Sequence, residues 1–90
     1  MDFEWDPAKA EANRRKHWVR FAEAIGVFDD EQAVMLLDEN ADEERYLAIG
    51  MDGYARVLVV VYTWRGDTVR IISARKATRS EERQYAEGRP

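Results

Sequence analysis

The segment Leu58-Val59-Val60-Val61 constrains the fold of this 90-residue chain more than any other feature of its sequence. Successive side chains of a strand point to opposite faces, so an unbroken apolar run makes both faces apolar. A strand of this kind is buried when helices or neighbouring strands cover both of its sides. The sequence therefore predicts a sheet with this segment at its centre.

The spacing of apolar residues indicates strands on either side of this segment. From Ala33 onward we predict four strands, which span Ala33 to Asp38, Arg45 to Met51, Arg56 to Trp64 and Thr68 to Arg75. An acidic loop from 38 to 44, the dipeptide Asp52-Gly53 and the tripeptide Arg65-Gly66-Asp67 connect them. Since each connection is short enough for a hairpin, we expect an antiparallel meander.

Helices are predicted before and after these strands. Alternating residues from Met1 to Trp5 predict a short strand, and Asp6-Pro7 is typical of the start of a helix, which we expect to end near His17. An apolar stripe at Phe21, Ala24, Ile25 and Phe28 predicts a second short helix, which Asp29-Asp30 ends.

The last predicted helix begins at a capping box formed by Thr78 and Glu81, and it spans Arg79 to Glu87 before Gly88. The order strand, two helices, four strands, helix is typical of a single α+β domain over residues 1–90, with an antiparallel sheet and helices laid on one side.

Composition excludes several classes of protein. No apolar run approaches the roughly 18 to 20 residues that span a bilayer, and the N-terminus has no apolar signal core, so we expect a cytoplasmic protein without a membrane partner. The chain has no cysteine and one histidine, so we expect no metal site. Motifs of nucleotide hydrolases, esterases, metalloproteases and EF-hands are absent, and we interpret the cluster 29–31 as a solvated turn rather than a magnesium site.

Charge is distributed unevenly along the chain, which carries a net charge of -4. Residues 1–21 hold five basic and four acidic groups, residues 22–52 hold one and ten, and residues 53–90 hold eight and four. Eleven of the fourteen cations are arginine, whose planar fork binds phosphate or carboxylate through two hydrogen bonds. The C-terminal half could therefore bind an anion; alternatively, its arginines solvate strands and pair with the acidic middle segment.

A meander sorts these cations into two groups. Arg45, Arg65 and Arg70 are expected at one end of the sheet, and Arg56, Arg75 and Lys76 at the other, next to the start of the last helix. The spacing from Arg70 to Arg75 predicts opposite faces, so the two cannot contact the same phosphate, but they could line one extended path. For the bases of a nucleic acid, the rings of Tyr62, Trp64 and Tyr85 are available for stacking.

Two further side chains could transfer protons. Histidine is the side chain whose unperturbed pKa lies near neutrality, which makes His17 a candidate, although a histidine at the end of a helix is commonly a capping residue. Glu82 could act as a general base in an anion-binding cleft between Arg75 and the last helix, to which Arg79 also contributes; alternatively, this helix is simply solvated.

Together these segments resemble the BrnT-type toxins of type II toxin-antitoxin systems. The resemblance covers nearly the whole chain and is carried by FEWDPAKA, Lys16-His17, FAEA, VFDD, ERYLAIG, VLVVVYTWRGDTVRIISARKAT and EERQYAEG. It implies a RelE-like fold and a ribonuclease that stops translation by cutting RNA through the 2'-hydroxyl of its substrate, with no metal or cofactor.

The resemblance also implies roles for individual residues. It assigns Arg70 and Arg75 to phosphate, His17 or Glu82 to proton transfer, and Tyr85 to stacking or proton donation. Further RNA contacts are expected from Lys16, Arg45, Arg65, Lys76 and Arg79. One position departs from the family: Trp18 stands where glycine usually follows Lys-His, which puts the role of His17 in doubt.

The implied partner is a BrnA-type antitoxin that resembles ribbon-helix-helix repressors, and the toxin would reach operator DNA only through it. Two alternatives remain. Trp18 and the net negative charge also suit a catalytically inactive toxin-fold protein that acts as a corepressor with its antitoxin. A non-enzymatic RNA-binding module would bind RNA in a salt-dependent way and leave it intact.

Overall fold

A computed structural model describes residues 1–39 and 42–88 of the chain. These residues form, in chain order, β1 (Asp2–Glu4), α1 (Pro7–His17), α2 (Phe21–Ala24), a 3₁₀ helix (Ile25–Asp29), β2 (Val34–Leu37), β3 (Tyr46–Met51), β4 (Val57–Arg65), β5 (Thr68–Lys76) and α3 (Arg79–Glu87). Every predicted element is present. The predicted second helix is divided into one α-helical turn and the 3₁₀ helix that continues it.

The strands form one sheet in the order β1-β5-β4-β3-β2. Strands β2 to β5 are the antiparallel meander that hairpin connections predict. The N-terminal strand β1 joins the same sheet parallel to β5, with Phe3 opposite Val69. The sheet is therefore five-stranded and mixed, which extends the predicted four-stranded antiparallel arrangement.

Strand β4 lies at the centre of the sheet and is covered on both faces. One face, which we call the helical face, packs α1, α2 and the 3₁₀ helix against a core that includes Phe21, Val60 and Ile71. On the other face, Tyr85 of α3 packs against a cluster that includes Val59. The prediction that the helices lie on one side is therefore wrong, because an apolar run at 58–61 needs a cover on each face.

The helix ends follow the local signals of the sequence. The Asp6 carboxylate accepts a hydrogen bond from the Ala8 amide at 2.9 Å. The Glu81 amide donates to the Thr78 hydroxyl at 3.2 Å, and the Thr78 amide donates to the Glu81 carboxylate at 2.9 Å, as a capping box requires. No helix among the described residues has the length and apolarity needed to cross a membrane.

Candidate functional site

A β-bulge in β5 decides which face of the sheet carries the arginines. Val61 of β4 is opposite Ser73, whereas the next residue, Tyr62, is opposite Ile71, so Ile72 has no cross-strand partner. An extra residue in one strand shifts the alternation of its side chains relative to the neighbouring strand.

The bulge places Arg70 and Arg75 on the same face. Arg70 is opposite Thr63 and Arg75 is opposite Val59. Thr63 and Val59 are four residues apart in β4, so they and their partners share a face. The prediction that the two arginines lie on opposite faces is wrong, because it assumed an unbroken alternation along β5. We call this side of the sheet the arginine face; it is the face on which α3 packs.

Two further arginines lie near Arg70 at one end of the arginine face. Arg65 is opposite Thr68. Arg45 directly precedes β3, and continuing the register of that strand brings Arg45 opposite Thr63. The Thr63 hydroxyl donates to the carbonyl oxygen of Glu44 at 3.0 Å, consistent with this alignment. The predicted grouping of Arg45, Arg65 and Arg70 at one end of the sheet is confirmed.

Arg70 is paired with a carboxylate from the N-terminal strand. One of its terminal nitrogens lies 2.6 Å from a carboxylate oxygen of Glu4, and both side chains are partly exposed. A guanidinium has five N–H donors, so this contact leaves donors that could face a phosphate. Glu4 is not among the predicted site residues, because it is far from Arg70 in the chain and meets it only through the parallel pairing of β1 with β5.

Arg75 is held more tightly than Arg70. Its two terminal nitrogens donate to the two carboxylate oxygens of Glu81 at 2.7 and 2.8 Å. This pairing lowers the pKa of Glu81 to about 2 and raises the pKa of Arg75. Since Glu81 also caps α3, the pair joins the last helix to β5.

Asn13 fixes α1 against the outer edge of β5, beyond the point where β1 ends. Its carboxamide donates to the carbonyl oxygen of Ala74 at 2.8 Å and accepts from the Ala74 amide at 3.1 Å, as a neighbouring strand would. It also donates to the carbonyl oxygen of Val19 at 3.0 Å. Asn13 is not among the predicted site residues; its signal in the sequence is a polar residue one turn after Ala10 in a helix without an apolar stripe.

This attachment brings Lys16 and His17 to the bulge. Together with Lys9 they line a shallow cavity of about 230 Å³, to which Ile72 and Ser73 of β5 also contribute. Ser73 lies between Arg70 and Arg75 along the strand. The structure therefore gathers α1 cations beside the segment of β5 that carries both arginines.

The predicted grouping of Arg56, Arg75 and Lys76 at the other end of the sheet is confirmed, but the three residues do not share a face. Lys76 is opposite Leu58 on the helical face. Arg56 also belongs to that side, where it donates to the buried carboxylate of Asp52 at 2.6 and 2.9 Å and to Glu23 at 3.2 Å. The pKa of Arg56 is raised chiefly by its bond to Asp52. Arg56 thus has a structural role.

The rings predicted to stack on bases do not form one platform. Tyr62 is buried on the helical face, where its ring contacts those of Phe28 and Tyr46. Trp64 is exposed but is opposite Val69 on that same face. The prediction that Tyr62 is available for stacking is therefore wrong, because the alternation of β4 places Tyr62 on the same covered face as Leu58 and Val60.

Tyr85 anchors α3 to the segment that precedes β2. Its hydroxyl donates to the Asp30 carboxylate at 2.7 Å, and this bond is the main reason why the pKa of Tyr85 is raised. The same carboxylate accepts the amide of Met51 at 2.8 Å. Glu82 and Arg79, by contrast, are exposed on α3.

Comparisons with known proteins agree with this architecture. A family model described as "Ribonuclease toxin, BrnT, of type II toxin-antitoxin system" matches residues 5–81. The 1.1 Å crystal structure of the Brucella abortus ribonuclease toxin BrnT aligns with a TM-score of 0.68 at 24% sequence identity, covering 88% of this chain and 99% of that chain. No curated protein matches the sequence.

Proposed function

The chain belongs to the BrnT family of ribonuclease toxins of type II toxin-antitoxin systems, and we propose that it is an endoribonuclease that cuts RNA without a metal ion and thereby stops translation in the cytoplasm. RNA would lie along β5, on the arginine face and beside the end of α1. The observation that carries this proposal is the bulge at Ile72, which gives Arg70 and Arg75 a common face. Ile72 and Ser73, between these arginines in β5, also line the cavity that Lys16 and His17 border.

The proposed reaction uses the 2'-hydroxyl of the substrate as the nucleophile. A general base removes its proton, the oxygen attacks the adjacent phosphorus, and the 5'-oxygen of the next nucleotide leaves with a proton from a general acid. The products are a 2',3'-cyclic phosphate and a 5'-hydroxyl. Negative charge grows on the phosphate oxygens during attack, and preorganised cations stabilise it directly.

Three kinds of side chain would divide this task. Arg70 and Arg75 would bind phosphate, at levels of β5 that lie about 13 Å apart, so that each contacts a different phosphate of one strand. His17 is our candidate for proton transfer because it lies beside the bulge. Glu82 and Tyr85 stay as alternative proton-transfer groups, and Lys16, Arg45, Arg65 and Arg79 as further RNA contacts. Lys76 is opposite Leu58 on the helical face and therefore lies outside this path.

Carboxylates would orient these arginines before RNA binds. Glu4 and Glu81 each hold a guanidinium in a defined position. A phosphate that approaches must then either use the remaining N–H groups or displace the carboxylate. We expect displacement to be easier at Arg70, which is held through one nitrogen, than at Arg75, which is held through two.

The family implies an antitoxin as the protein partner. We propose that it is a BrnA-type antitoxin with a ribbon-helix-helix DNA-binding fold, and that the toxin contacts operator DNA only through it. We also propose that the toxin fold is RelE-like, as its antiparallel meander with helices on the sheet supports.

Incubation of purified, antitoxin-free protein with end-labelled RNA in EDTA tests this proposal. We expect fragments with 2',3'-cyclic phosphate ends, and a loss of about 100-fold or more in rate for Arg70→Ala and Arg75→Ala. Arg20→Ala is the matched control, since it removes an exposed arginine beside Phe21 on the helical face.

Glu81→Gln separates two roles of Arg75. If Arg75 binds phosphate, this variant cuts RNA because the guanidinium is still present. If Arg75 serves only to anchor α3, Glu81→Gln and Arg75→Ala lose activity equally, and our assignment of Arg75 to phosphate is wrong. Full activity of Arg75→Ala would contradict the assignment as well.

The corepressor alternative is favoured by one observation, the pairing of both candidate phosphate ligands with carboxylates. A corepressor would leave RNA intact with or without translating ribosomes and would not inhibit growth when expressed alone. It would still increase the affinity of the antitoxin for operator DNA.

A further inference from the structure

Strand β2 forms an edge of the sheet and displays apolar side chains to solvent. Among the described residues it pairs only with β3. Met35 is 48% exposed and Leu37 is 55% exposed, both on the outer side of the helical face. An exposed apolar edge strand is a template for pairing with another strand, and natural proteins usually blunt such edges with charge or proline. The four residues Val34–Leu37 contain neither.

The hydrogen-bond pattern shows which backbone groups of β2 face outward. The Asp38 amide donates to the Arg45 carbonyl oxygen at 2.8 Å, so these opposite residues form a hydrogen-bonded pair. Hydrogen-bonded and non-hydrogen-bonded pairs alternate along an antiparallel ladder. Leu36 is therefore bonded to β3, whereas the N–H and C=O groups of Met35 and Leu37 point toward the open edge.

Charge next to this edge selects the chemistry of a partner. The stretch from residue 29 to residue 44, which contains β2, holds eight acidic residues and no basic one. The acidic residues lie on both sides of the strand in the sequence, at 29–31, 38, 39 and 42–44. A strand that pairs with β2 therefore enters a negative field and is favoured when it carries lysine or arginine.

We propose that β2 is a docking edge for an extended, basic segment of the antitoxin, which adds to the sheet as a further strand. The partner's backbone would pair with Met35 and Leu37, its apolar side chains would cover these two residues, and its cations would face the acidic stretch. The proposal rests on the antitoxin partner that family membership implies. The docking edge lies at the opposite side of the sheet from the proposed RNA path on β5, so this segment would not itself cover that path.

A second copy of this chain is a poor occupant of the same edge. Pairing of two β2 strands would bring together two acidic stretches, in either orientation, because acidic residues flank β2 at both ends. Like charges facing each other across an interface disfavour association. The charge pattern thus favours a basic partner over self-association.

Met35→Pro tests the proposal most directly. Proline removes an N–H group that points outward, so it blocks an added strand without breaking the ladder to β3. We expect the variant to keep its thermal unfolding midpoint and to bind purified antitoxin at least about tenfold more weakly in calorimetry, which corresponds to the loss of one or two hydrogen bonds. Met35→Thr, which keeps the N–H group, is the matched control and should lose less affinity.

A charge reversal provides an independent test. Glu43→Lys lies in the acidic stretch and Asp67→Lys lies in the β4–β5 turn, and both change the net charge by the same amount. We expect only Glu43→Lys to weaken antitoxin binding. Equal effects of the two variants would show that net charge, rather than the docking edge, drives association.

Hydrogen exchange of the wild-type complex covers the case in which Met35→Pro fails to fold. We expect antitoxin to slow exchange of the Met35 and Leu37 amides. Unchanged exchange at both amides, or wild-type affinity of a folded Met35→Pro, overturns the proposal. Conversion of a toxin dimer to a monomer by Met35→Pro, with unchanged antitoxin affinity, would identify a second copy as the occupant. None of these measurements uses RNA, so they are independent of the proposed ribonuclease activity.

Discussion

At the scale of single residues, the arginines of the candidate site are defined by the carboxylates that hold them. Arg75 and Glu81 are six residues apart and meet across the junction of β5 and α3, whereas Arg70 and Glu4 are brought together from opposite ends of the chain. An ion pair joined by two parallel hydrogen bonds is stronger than one joined by a single hydrogen bond. The Arg75 pair should therefore contribute measurably to stability.

The pH dependence of unfolding tests the Arg75 pair. Glu81 has a pKa of about 2 in the folded chain, below its ordinary value of 4.5. A lowered pKa means that the folded chain holds fewer protons, so this stabilisation is complete above about pH 4.5 and is lost as the pH falls toward 2. Glu81→Gln keeps the capping box but loses the ion pair. We expect Glu81→Gln to lower the free energy of unfolding by about 1 to 2 kcal/mol at neutral pH. This is less than the shift in the pKa of Glu81 alone would give, because Arg75 is partly exposed and solvent screens the pair.

Urea unfolding of wild type and Glu81→Gln at several pH values provides the measurement. The difference in unfolding free energy should shrink as the pH falls below 4 and nearly vanish near pH 2. Glu11, whose pKa is also lowered to about 2 by its bond to Arg14, is present in both proteins and cancels from the difference. A difference that is constant with pH would contradict an ionic origin.

Trp18 gives a second prediction at this scale. It ends α1 in the left-handed region, with φ 60° and ψ 27°, and the residue is 75% exposed. This conformation costs a non-glycine residue roughly 1 kcal/mol, and the exposed indole recovers little of that cost by packing. We expect Trp18→Gly to raise the free energy of unfolding by about 1 kcal/mol in urea titrations. Trp18→Ala, which retains the strain, should not; destabilisation by Trp18→Gly would show that the indole stabilises the fold.

At the scale of elements, α1 is attached to the sheet in an unusual way. Its sequence has no apolar stripe, and its one buried residue is Asn13. In place of extensive apolar packing, the carboxamide of Asn13 bonds to the edge of β5 beyond the end of β1, as the backbone of a longer β1 would. The position of His17 beside the bulge depends on this attachment.

Removal of the Asn13 carboxamide should therefore affect stability and site geometry together. Asn13→Ala leaves the buried N–H and C=O groups of Ala74 without their partner, and each such loss costs about 1 to 3 kcal/mol. We expect a decrease of about 3 kcal/mol in the free energy of unfolding, with faster hydrogen exchange at the Ala74 amide. A decrease below about 1 kcal/mol would mean that water replaces the carboxamide without cost.

Most elements follow from local sequence signals, but their arrangement does not. The caps at Asp6 and Thr78 and the hairpin connections depend on residues close in the chain, so their types and positions were predictable. The bulge at Ile72 has no local signal, since RIISAR fits an unbroken strand equally well. The parallel pairing of β1 with β5 joins residues 66 positions apart, and this contact decides which carboxylate reaches Arg70. Sequence therefore identified candidate arginines but not the face they share.

At the scale of the whole molecule, charge is separated across the sheet. The acidic stretch contains β2 at one edge, whereas the cations of α1 and β5 lie toward the other edge. A net charge of -4 therefore does not describe the field that RNA meets near β5. This separation of charge favours two different binding surfaces for partners of opposite charge: β5 for RNA and β2 for a basic antitoxin segment.

The salt dependence of RNA binding tests this separation. Each phosphate neutralised on a single strand contributes about 0.7 to the slope of the logarithm of affinity against the logarithm of salt concentration. If local cations bind RNA, Arg70→Ala should reduce the slope by about 0.7, while Arg20→Ala on the helical face should leave it unchanged. Fluorescence anisotropy in EDTA, with RNA whose 2'-hydroxyls are replaced by hydrogen to prevent cutting, provides the measurement. Because both variants change the net charge equally, equal slopes would show that the overall charge governs binding and that the arginine face does not form the RNA path.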